Sequence, residues 1–409
     1  MAGRAPQHAL RVGCRAVPEA LSKPAQQSRC LSSTVPRQGM SSQPTRRHLS
    51  LATYPVVSFN KTSSPELKEA LETLREKVIL PTYLPPELRQ KIFNKKYEKE
   101  LAHDPVTIQI DGQPQRFSYI NMLTDMPNTP KNIRAALLSM KNGGDFANLS
   151  GLLEGMHRAN RKLPYWLSAQ IVRKACKAGH LQLILNMVRD VKRTGFTLER
   201  HETVNELLFW IQRFAWKSDY SEPETRKALR EVQEILDALE GDERHMSKDR
   251  KRQQALTRFP YHRDPQFLAA RLNLTAELAA RRAVTGQTSE QQLNSANDVK
   301  NLVKYAEQLV RLWPADKALL DMYTDEAYVA RVDLRYLIKP QVHLRYASFT
   351  LQALKQAAKI VGQLGHGPLA AQLINRAAAV EAESQLAYAK VDDGMAGQKI
   401  YEMVVGGKK

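Results

Sequence analysis

Two stretches with the same pattern decide the fold: IRAALLSMKNGGDFANLSGLLEGM at 133–156 and SAQIVRKACKAGHLQLILNMVRDV at 168–191. They lie 35 residues apart with their apolar positions in register, so that Gly144 aligns with Gly179. The apolar spacing in each unit predicts a helix, a glycine-containing turn and a second helix. A helical hairpin that repeats along the chain and buries its apolar face on its neighbour predicts an α-solenoid.

A third unit begins at His201 and departs from this pattern. Phe214 stands where the turn glycine is expected, and the apolar stripe of the return helix is displaced to about residues 223–239. We therefore predict a short array that becomes irregular at its third unit.

The sequence before the repeats predicts two helices and one β-hairpin. Ser64-Pro65-Glu66 carries the start signals of a helix, and Pro81 ends it. A second helix is predicted from about Pro86 to Leu101. Alternating apolar residues around an Asp-Gly turn then predict two antiparallel strands between residues 106 and 120; these residues are Val106, Ile108, Ile110, Asp111, Gly112, Phe117, Tyr119 and Ile120.

The sequence after the repeats predicts further helices separated by polar segments. An amphipathic group spans about 265–282, a flexible polar loop follows at 285–297, and Asn297-Asp298 caps another helix. A helix over about Tyr346–Leu364, a glycine-rich turn and an alanine-rich helix to about Ala389 predict an antiparallel helical hairpin.

Together these patterns predict a mainly α fold, a short α-solenoid of helical hairpins with one small β-hairpin and a C-terminal helical region. The predicted domains are a presequence at 1–49, N-terminal helices and a hairpin at 50–127, helical repeats at 128–240, a basic loop at 241–264 and C-terminal helices at 265–409.

The composition indicates a folded, strongly basic protein. Of 409 residues, 43% are apolar and 25% charged, which is ordinary globular usage. Sixty-one Lys and Arg against 42 Asp and Glu give a net charge of +19, which favours a polyanionic partner such as RNA.

The first 50 residues have the composition of a mitochondrial transit peptide. Seven arginines, one lysine and many Ser, Pro and Gln accompany a single acid, Glu19. We expect cleavage at Ser50 or just beyond it, with Ser32 as the second choice and a disordered basic arm on a cytosolic or nuclear protein as the alternative. These residues carry +7, so the remaining chain keeps +12.

Motifs of catalysis and metal binding are missing from the sequence. No P-loop, dinucleotide fingerprint or Gly-x-Ser-x-Gly is present, and His201-Glu202 begins a His-Glu-x-x-His pattern that Asn205 breaks. The sequence contains no run of 18 apolar residues, so it predicts no membrane-spanning helix. We therefore expect no enzyme activity, no cofactor, no metal site and no small-molecule substrate.

Cysteine and tryptophan residues are predicted to serve packing. Cys14, Cys30 and Cys176 are too few and too distant for a disulfide framework, and Cys176 on a repeat helix is predicted to be a small core residue. The four tryptophans, Trp166, Trp210, Trp216 and Trp313, are predicted to be core residues, because aromatic residues at helical spacing usually are; stacking on bases is the alternative.

A basic segment with interleaved aromatic residues is the first candidate RNA site. Such a mixture neutralises phosphates and stacks on bases, although a solvated charged loop is the alternative. Its candidate residues are Lys248, Arg250, Lys251, Arg252, Arg258, Tyr261, His262 and Arg263.

Charge that recurs along the repeats is the second candidate. Arg158 and Arg193 lie 35 residues apart at the same place in consecutive units. A charge repeated on a solenoid makes a stripe that can follow a phosphate backbone.

The repeat at 168–196 resembles the pentatricopeptide repeat, whose period is about 35 residues. The resemblance rests on Ala175 to Leu181, ACKAGHL, and on Met187 to Phe196, MVRDVKRTGF, and it covers about residues 130–215. It implies a mitochondrial protein whose helical array faces RNA or a protein partner. With the basic charge and the presequence, the chain is similar to the repeat-bearing proteins of the mitochondrial ribosome.

The positions that read bases in this family argue against sequence-specific recognition. By register, the first-helix position is occupied by Arg134, Ala169 and Val204, and its partner by Pro164 and Glu199. Ala169 and Val204 have no group that hydrogen-bonds to a base edge. We therefore expect contacts to the RNA backbone or to proteins.

The leading functional hypothesis is a non-enzymatic structural component of the mitochondrial ribosome in the matrix, with the small subunit favoured, binding rRNA and neighbouring ribosomal proteins. One alternative is a mitochondrial RNA-binding factor in translation or transcript maturation. Another is an assembly factor for a respiratory complex that binds only proteins.

Overall fold

The described part of the chain is built almost entirely from helices. The computed structural model describes residues 56–110, 112–246, 257–281, 289–329 and 334–406, without the side chains of 289–295. Within these ranges, the prediction of a mainly α fold is confirmed. The predicted presequence and both proposed cleavage positions lie outside them.

The N-terminal segment forms three short helices, α1 at Pro65–Leu74, α2 at Pro86–Phe93 and α3 at Glu98–His103. The Ser64 hydroxyl caps α1 as predicted, accepting a hydrogen bond from the Leu67 N–H at 3.3 Å. The prediction of one continuous helix over 86–101 is wrong. The chain leaves the helical conformation at Asn94, whose side chain accepts from the Lys96 N–H and starts a 3-10 turn.

The β-hairpin is confirmed, with β1 at Val106–Ile110 and β2 at Gln113–Phe117. Val106 pairs with Phe117 and Ile110 with Gln113 in the antiparallel register. The second strand is shorter than predicted, because Tyr119 and Ile120 lie beyond it. Phe117 and Ile120 close a small core with residues of the N-terminal segment, namely Leu80, Leu84, Ile92 and Leu101.

Three helical hairpins follow in the predicted repeat region. Their helices are α4 at Thr129–Ser139, α5 at Gly143–Arg158, α6 at Tyr165–Lys177, α7 at Leu181–Arg189, the short α8 at Val191–Thr194, α9 at His201–Lys217 and α10 at Glu222–Gly241. The displaced third return helix is confirmed as α10.

The turns of the first two hairpins differ. Gly179 has φ of +90° and ends α6, as a turn glycine should. Gly144 is not its counterpart, because it lies inside α5. Asn142 caps that helix in a reciprocal box with Asp145, so the turn falls three residues earlier than the alignment predicts.

The first helices of consecutive hairpins pack side by side. α4 contacts α6, and α6 contacts α9. The Ser168 and Thr203 hydroxyls, 35 residues apart, are hydrogen-bonded at 2.8 Å. The period seen in the sequence is thus a physical contact between equivalent positions.

The C-terminal region differs from its prediction at two places. α11, at Pro265–Arg281, is buried on almost every side because it packs on α9, α10, α12 and α13. α12 spans Ser289–Leu312, so the predicted loop at 285–297 is wrong from residue 289 onward. The predicted cap residue Asp298 lies inside this helix, where its carboxylate accepts from Arg226 at 2.9 Å.

The last two helices pack on α13, which spans Pro340–Gln363 and begins six residues before its predicted start. α14, at Gly367–Tyr388, forms the predicted hairpin with it. An unpredicted helix, α15 at Ala396–Val405, also packs on α13. Gly397 allows this approach, since a Cβ there would overlap the Gln341 carbonyl oxygen.

A partly buried carboxylate joins α14 to the segment before α13. The Glu383 oxygens accept from the backbone N–H groups of Leu319 and Leu320 at 3.0 Å, and His343 lies 3.5 Å away. Burial raises the pKa of Glu383 to about 7, despite the opposing effect of both N–H groups. Burial also lowers the pKa of His343 to about 4, so this ring is neutral at pH 7.

Replacing Glu383 with Gln should change the pH dependence of stability. A carboxyl with a raised folded pKa binds more protons in the folded state, so its contribution to stability falls as pH rises from about 4.5 to 7 and is level above that. Glu383→Gln should gain stability relative to the parent over this interval, by up to about 3 kcal/mol. Urea unfolding at pH 5, 6, 7 and 8 measures this difference; a constant difference across pH would contradict it.

Candidate nucleic-acid interface

The predicted basic segment is only partly within the described residues. Lys248, Arg250, Lys251 and Arg252 lie outside them. The described end runs from Thr257 through a 3-10 turn at Tyr261–Arg263 and leads directly into α11.

Two cations of this segment are exposed. Arg258 sits in a turn with φ of +63°, and Arg263 is the last residue of the 3-10 turn. Within the described ranges, neither guanidinium has a carboxylate at ion-pair distance. Both charges are therefore open to an external anion.

Tyr261 and His262 occupy different positions from those predicted. The Tyr261 ring is 5% exposed and packs on His201 and Phe267, so it belongs to the core and is not presented for stacking on bases. His262 is half-buried with Nε2 3.9 Å from Glu240, and burial lowers its pKa. The imidazole is neutral at pH 7 and adds no charge there.

Arg158 is the last residue of α5, and Arg193 lies on α8, which packs on α5. The Arg158 guanidinium lies over the Tyr83 ring, 4.6 Å from its centroid. Arg193 is held by Asp190 at 2.6 Å and by Glu154 at 2.5 Å, and its hydrogen bond to Asp190 is the main cause of its raised pKa. Its charge is thus already compensated by two carboxylates.

A further charged cluster on α9 escaped the sequence analysis. The Glu206 carboxylate is fully buried and accepts from Arg173, Arg345, Tyr346 and the Trp210 indole, which joins α6, α9 and α13. Arg213 and Lys217 extend the same helix face towards the surface. The sequence does carry a signal for this cluster: Trp, Arg, Phe and Lys at positions 210, 213, 214 and 217 fall on one face of a helix.

The predicted packing roles are confirmed where the structure describes them. Cys176 is buried, and burial raises the pKa of its thiol well above the ordinary value. Trp313 is fully buried, with its indole N–H donating to the Lys317 carbonyl at 2.8 Å. Trp210 is also buried, while Trp166 and Trp216 are partly buried against the core.

In the part of the chain that the structure describes, there is no group of three or more His, Cys, Asp or Glu side chains that could hold a metal ion, and no helix has the length and apolarity to cross a bilayer. Helical hairpins on one core and exposed arginines define the class of basic helical scaffold proteins.

Comparison with known proteins identifies the family. The model of the family described as mitochondrial ribosomal protein mS27 matches residues 40–404. The chain is 97% identical to small ribosomal subunit protein mS27 of Neurospora crassa, over the full length of both chains. The chain therefore belongs to the mitochondrial ribosomal protein mS27 family.

Membership of this family confirms that part of the leading hypothesis which assigns the chain to the mitochondrial ribosome. The chain is a structural protein of the small subunit of the mitochondrial ribosome and not an enzyme. Neither alternative, a transient RNA-binding factor or an assembly factor for a respiratory complex, is supported by the match.

Proposed function

We propose that this chain is a permanent scaffold in the small subunit, in the mitochondrial matrix, anchored by rRNA through its basic segment and by neighbouring ribosomal proteins through its helical hairpins. The observation that carries the RNA contact is the exposure of Arg258 and Arg263 without carboxylates at ion-pair distance in the described ranges. The four basic residues at 248–252 precede them directly in the chain.

The repeat region acts as a short pentatricopeptide-like solenoid in this proposal. Its support is the side-by-side packing of α4, α6 and α9 and the hydroxyl contact between Ser168 and Thr203. Ala169 and Val204, at the positions that would read bases, are completely buried. The array therefore contacts the RNA backbone or proteins and does not read a base sequence.

Reversing Lys251, Arg252 and Arg258 to Glu should weaken RNA binding by about tenfold or more at 0.1 M salt and flatten its salt dependence, because fewer counterions are released. Helicity should not change, since Arg258 is exposed. Anisotropy of a labelled oligoribonucleotide between 50 and 250 mM KCl measures affinity. Sedimentation of mitochondrial extracts in a salt series should show the variant leaving the small subunit at lower salt.

The matched control reverses three exposed lysines of the C-terminal region, Lys304, Lys359 and Lys390, to Glu. This control changes the net charge by the same amount. An equal loss of RNA affinity in both variants would therefore indicate an effect of net charge and not of the basic segment. Unchanged RNA affinity and unchanged salt release in the basic-segment variant would show that this segment is a solvated loop.

A further inference from the structure

The C-terminal half of α9 carries cations and aromatic rings on one face. Trp210, Arg213, Phe214 and Lys217 follow one another at helical spacing. The Arg213 guanidinium lies 5.5 Å from the Trp210 ring centroid, and the Lys217 ammonium lies 5.7 Å from that of Phe214. Phe214 is half-buried and Lys217 exposed, so this face opens to solvent.

Arg213 is a half-buried cation for which the described residues supply no anion. They place no carboxylate at ion-pair distance from its guanidinium, and its Nε is buried without a hydrogen-bond acceptor. Burial lowers the pKa of Arg213, and the second cause is the positive charge of Arg345. A partly desolvated charge beside a like charge is unfavourable unless an anion joins it.

Arg345 cannot move away from Arg213 at low cost. Its guanidinium is ion-paired with Glu206 and lies over the Phe209 ring at 4.3 Å. Glu206 is shared with Arg173, which lies 3.0 Å away. The one buried carboxylate of the cluster is therefore already used by two arginines and is not free to compensate Arg213.

We propose that Arg213, together with Lys217 and Arg345, holds a backbone phosphate of RNA at this face of α9, beside the half-buried Phe214 ring. The site is separate in sequence from the basic segment at 248–263, and it rests on and extends the proposed RNA-binding function. A phosphodiester fits because guanidinium forks bind phosphate oxygens and a neighbouring base can stack on the half-buried Phe214. A single protein carboxylate would leave most of this cationic face uncompensated.

The test compares Arg213→Met with Arg189→Met in the full chain. Arg189 is an exposed arginine already paired with Glu234 at 2.6 Å, so its replacement removes the same charge from a compensated position. The probe is a fluorescein-labelled 15-nucleotide oligouridylate, with anisotropy read between 50 and 250 mM KCl. We expect Arg213→Met to weaken binding about fivefold to tenfold and to lower the salt slope by about one, and Arg189→Met to stay within about twofold.

Thermal unfolding separates this role from a structural one. Methionine retains the stem over Trp210 and no ion pair is lost in the described ranges, so Arg213→Met should unfold at the parent's temperature or above it. Arg213→Lys should recover part of the affinity because it restores the charge. A lower unfolding temperature in Arg213→Met, with no recovery in Arg213→Lys, would show a structural residue and overturn the proposal.

The remaining outcomes distinguish this site from the proposed function. Binding of the oligouridylate by the parent and equally by Arg213→Met would overturn the α9 site and leave RNA binding standing. Absence of binding by the parent would overturn both. Displacement of the RNA by a polyglutamate peptide at equal charge concentration, in the parent but not in Arg213→Met, would reassign the site to an acidic protein segment.

Discussion

Replacing Glu206 with Gln is expected to lower the free energy of unfolding by about 3–5 kcal/mol, because removing one partner of a buried ion pair leaves the other charge uncompensated. The Glu206 carboxylate is completely buried between Arg173 and Arg345. It also accepts hydrogen bonds from the Tyr346 hydroxyl at 2.6 Å and from the Trp210 indole at 2.8 Å. A neutral amide keeps the shape but neither neutralises the arginines nor accepts at both atoms.

The direction of the Glu206 pKa adds a pH signature. Burial raises this pKa, but the charges of Arg345 and Arg173 outweigh burial and hold it below the ordinary value. A carboxyl with a lowered folded pKa stabilises the fold above its unfolded pKa, and this contribution is lost as pH falls through the folded pKa. The free energy of unfolding of Glu206→Gln should therefore fall less than that of the parent as pH is lowered.

Urea unfolding followed by circular dichroism measures both effects. Glu202→Gln is the control, since Glu202 lies one turn away on α9 and pairs with Arg173 alone at 3.3 Å. Its replacement should cost no more than about 1 kcal/mol, because its ion pair is partly solvated. Equal losses in both variants would show that Glu206 has no special place in the cluster.

Replacing Asp264 with Ala is expected to cost about 3–4 kcal/mol, since each buried polar group left without a partner costs about 1–3 kcal/mol. The buried Asp264 carboxylate accepts from the Tyr323 hydroxyl at 2.9 Å and lies 3.2 Å from His201 Nε2. It also accepts from the Gln266 N–H in the first turn of α11. Alanine removes these acceptors at once, in a site that water does not reach.

Asp264→Asn provides the control because an amide oxygen still accepts at one position. It should retain more than half of the stability that Asp264→Ala loses, as measured by the same urea titration. A loss below about 1 kcal/mol in Asp264→Ala would show that Tyr323 and His201 find other partners, which would contradict the expected cost of leaving them unpaired.

Local patterns in the sequence predicted the repeat helices because each element carries its own signal. The apolar stripe of α6, its turn at Gly179 and the start of α9 at His201 lie within short windows. The Ser64 cap is similarly local. Periodicity and capping act over one or two turns, so one sequence suffices to recognise them.

The sequence-based predictions are wrong where a segment distant in the chain determines the local structure or the burial of a residue. The polar composition of residues 289–297 predicts a loop, yet these residues form the start of α12. Later residues of α12 pack on α11, and Asp298 holds Arg226. Tyr261 was expected to meet bases, but His201, 60 residues earlier, forms part of its pocket. Tertiary packing of this kind leaves no local trace.

The α9 cluster shows the same limit in the candidate site. Arg213 looks like an ordinary surface charge in the sequence. Its exposed neighbour on the helix, Lys217, gives no hint that Arg345 approaches from α13, 132 residues further along. The burial of Glu206 depends on the same long-range approach.

Because α15 packs on α13, the fold is complete only after the C-terminal residues of the chain have been translated. Gly397 rests on the Gln341 carbonyl, and α15 covers part of α13 with the last described residues of the chain. A product terminated before residue 396 would expose apolar surface of α13 to solvent. Exposed apolar surface is what chaperones and proteases recognise, so prematurely terminated copies would be marked for removal before they reach an assembling subunit.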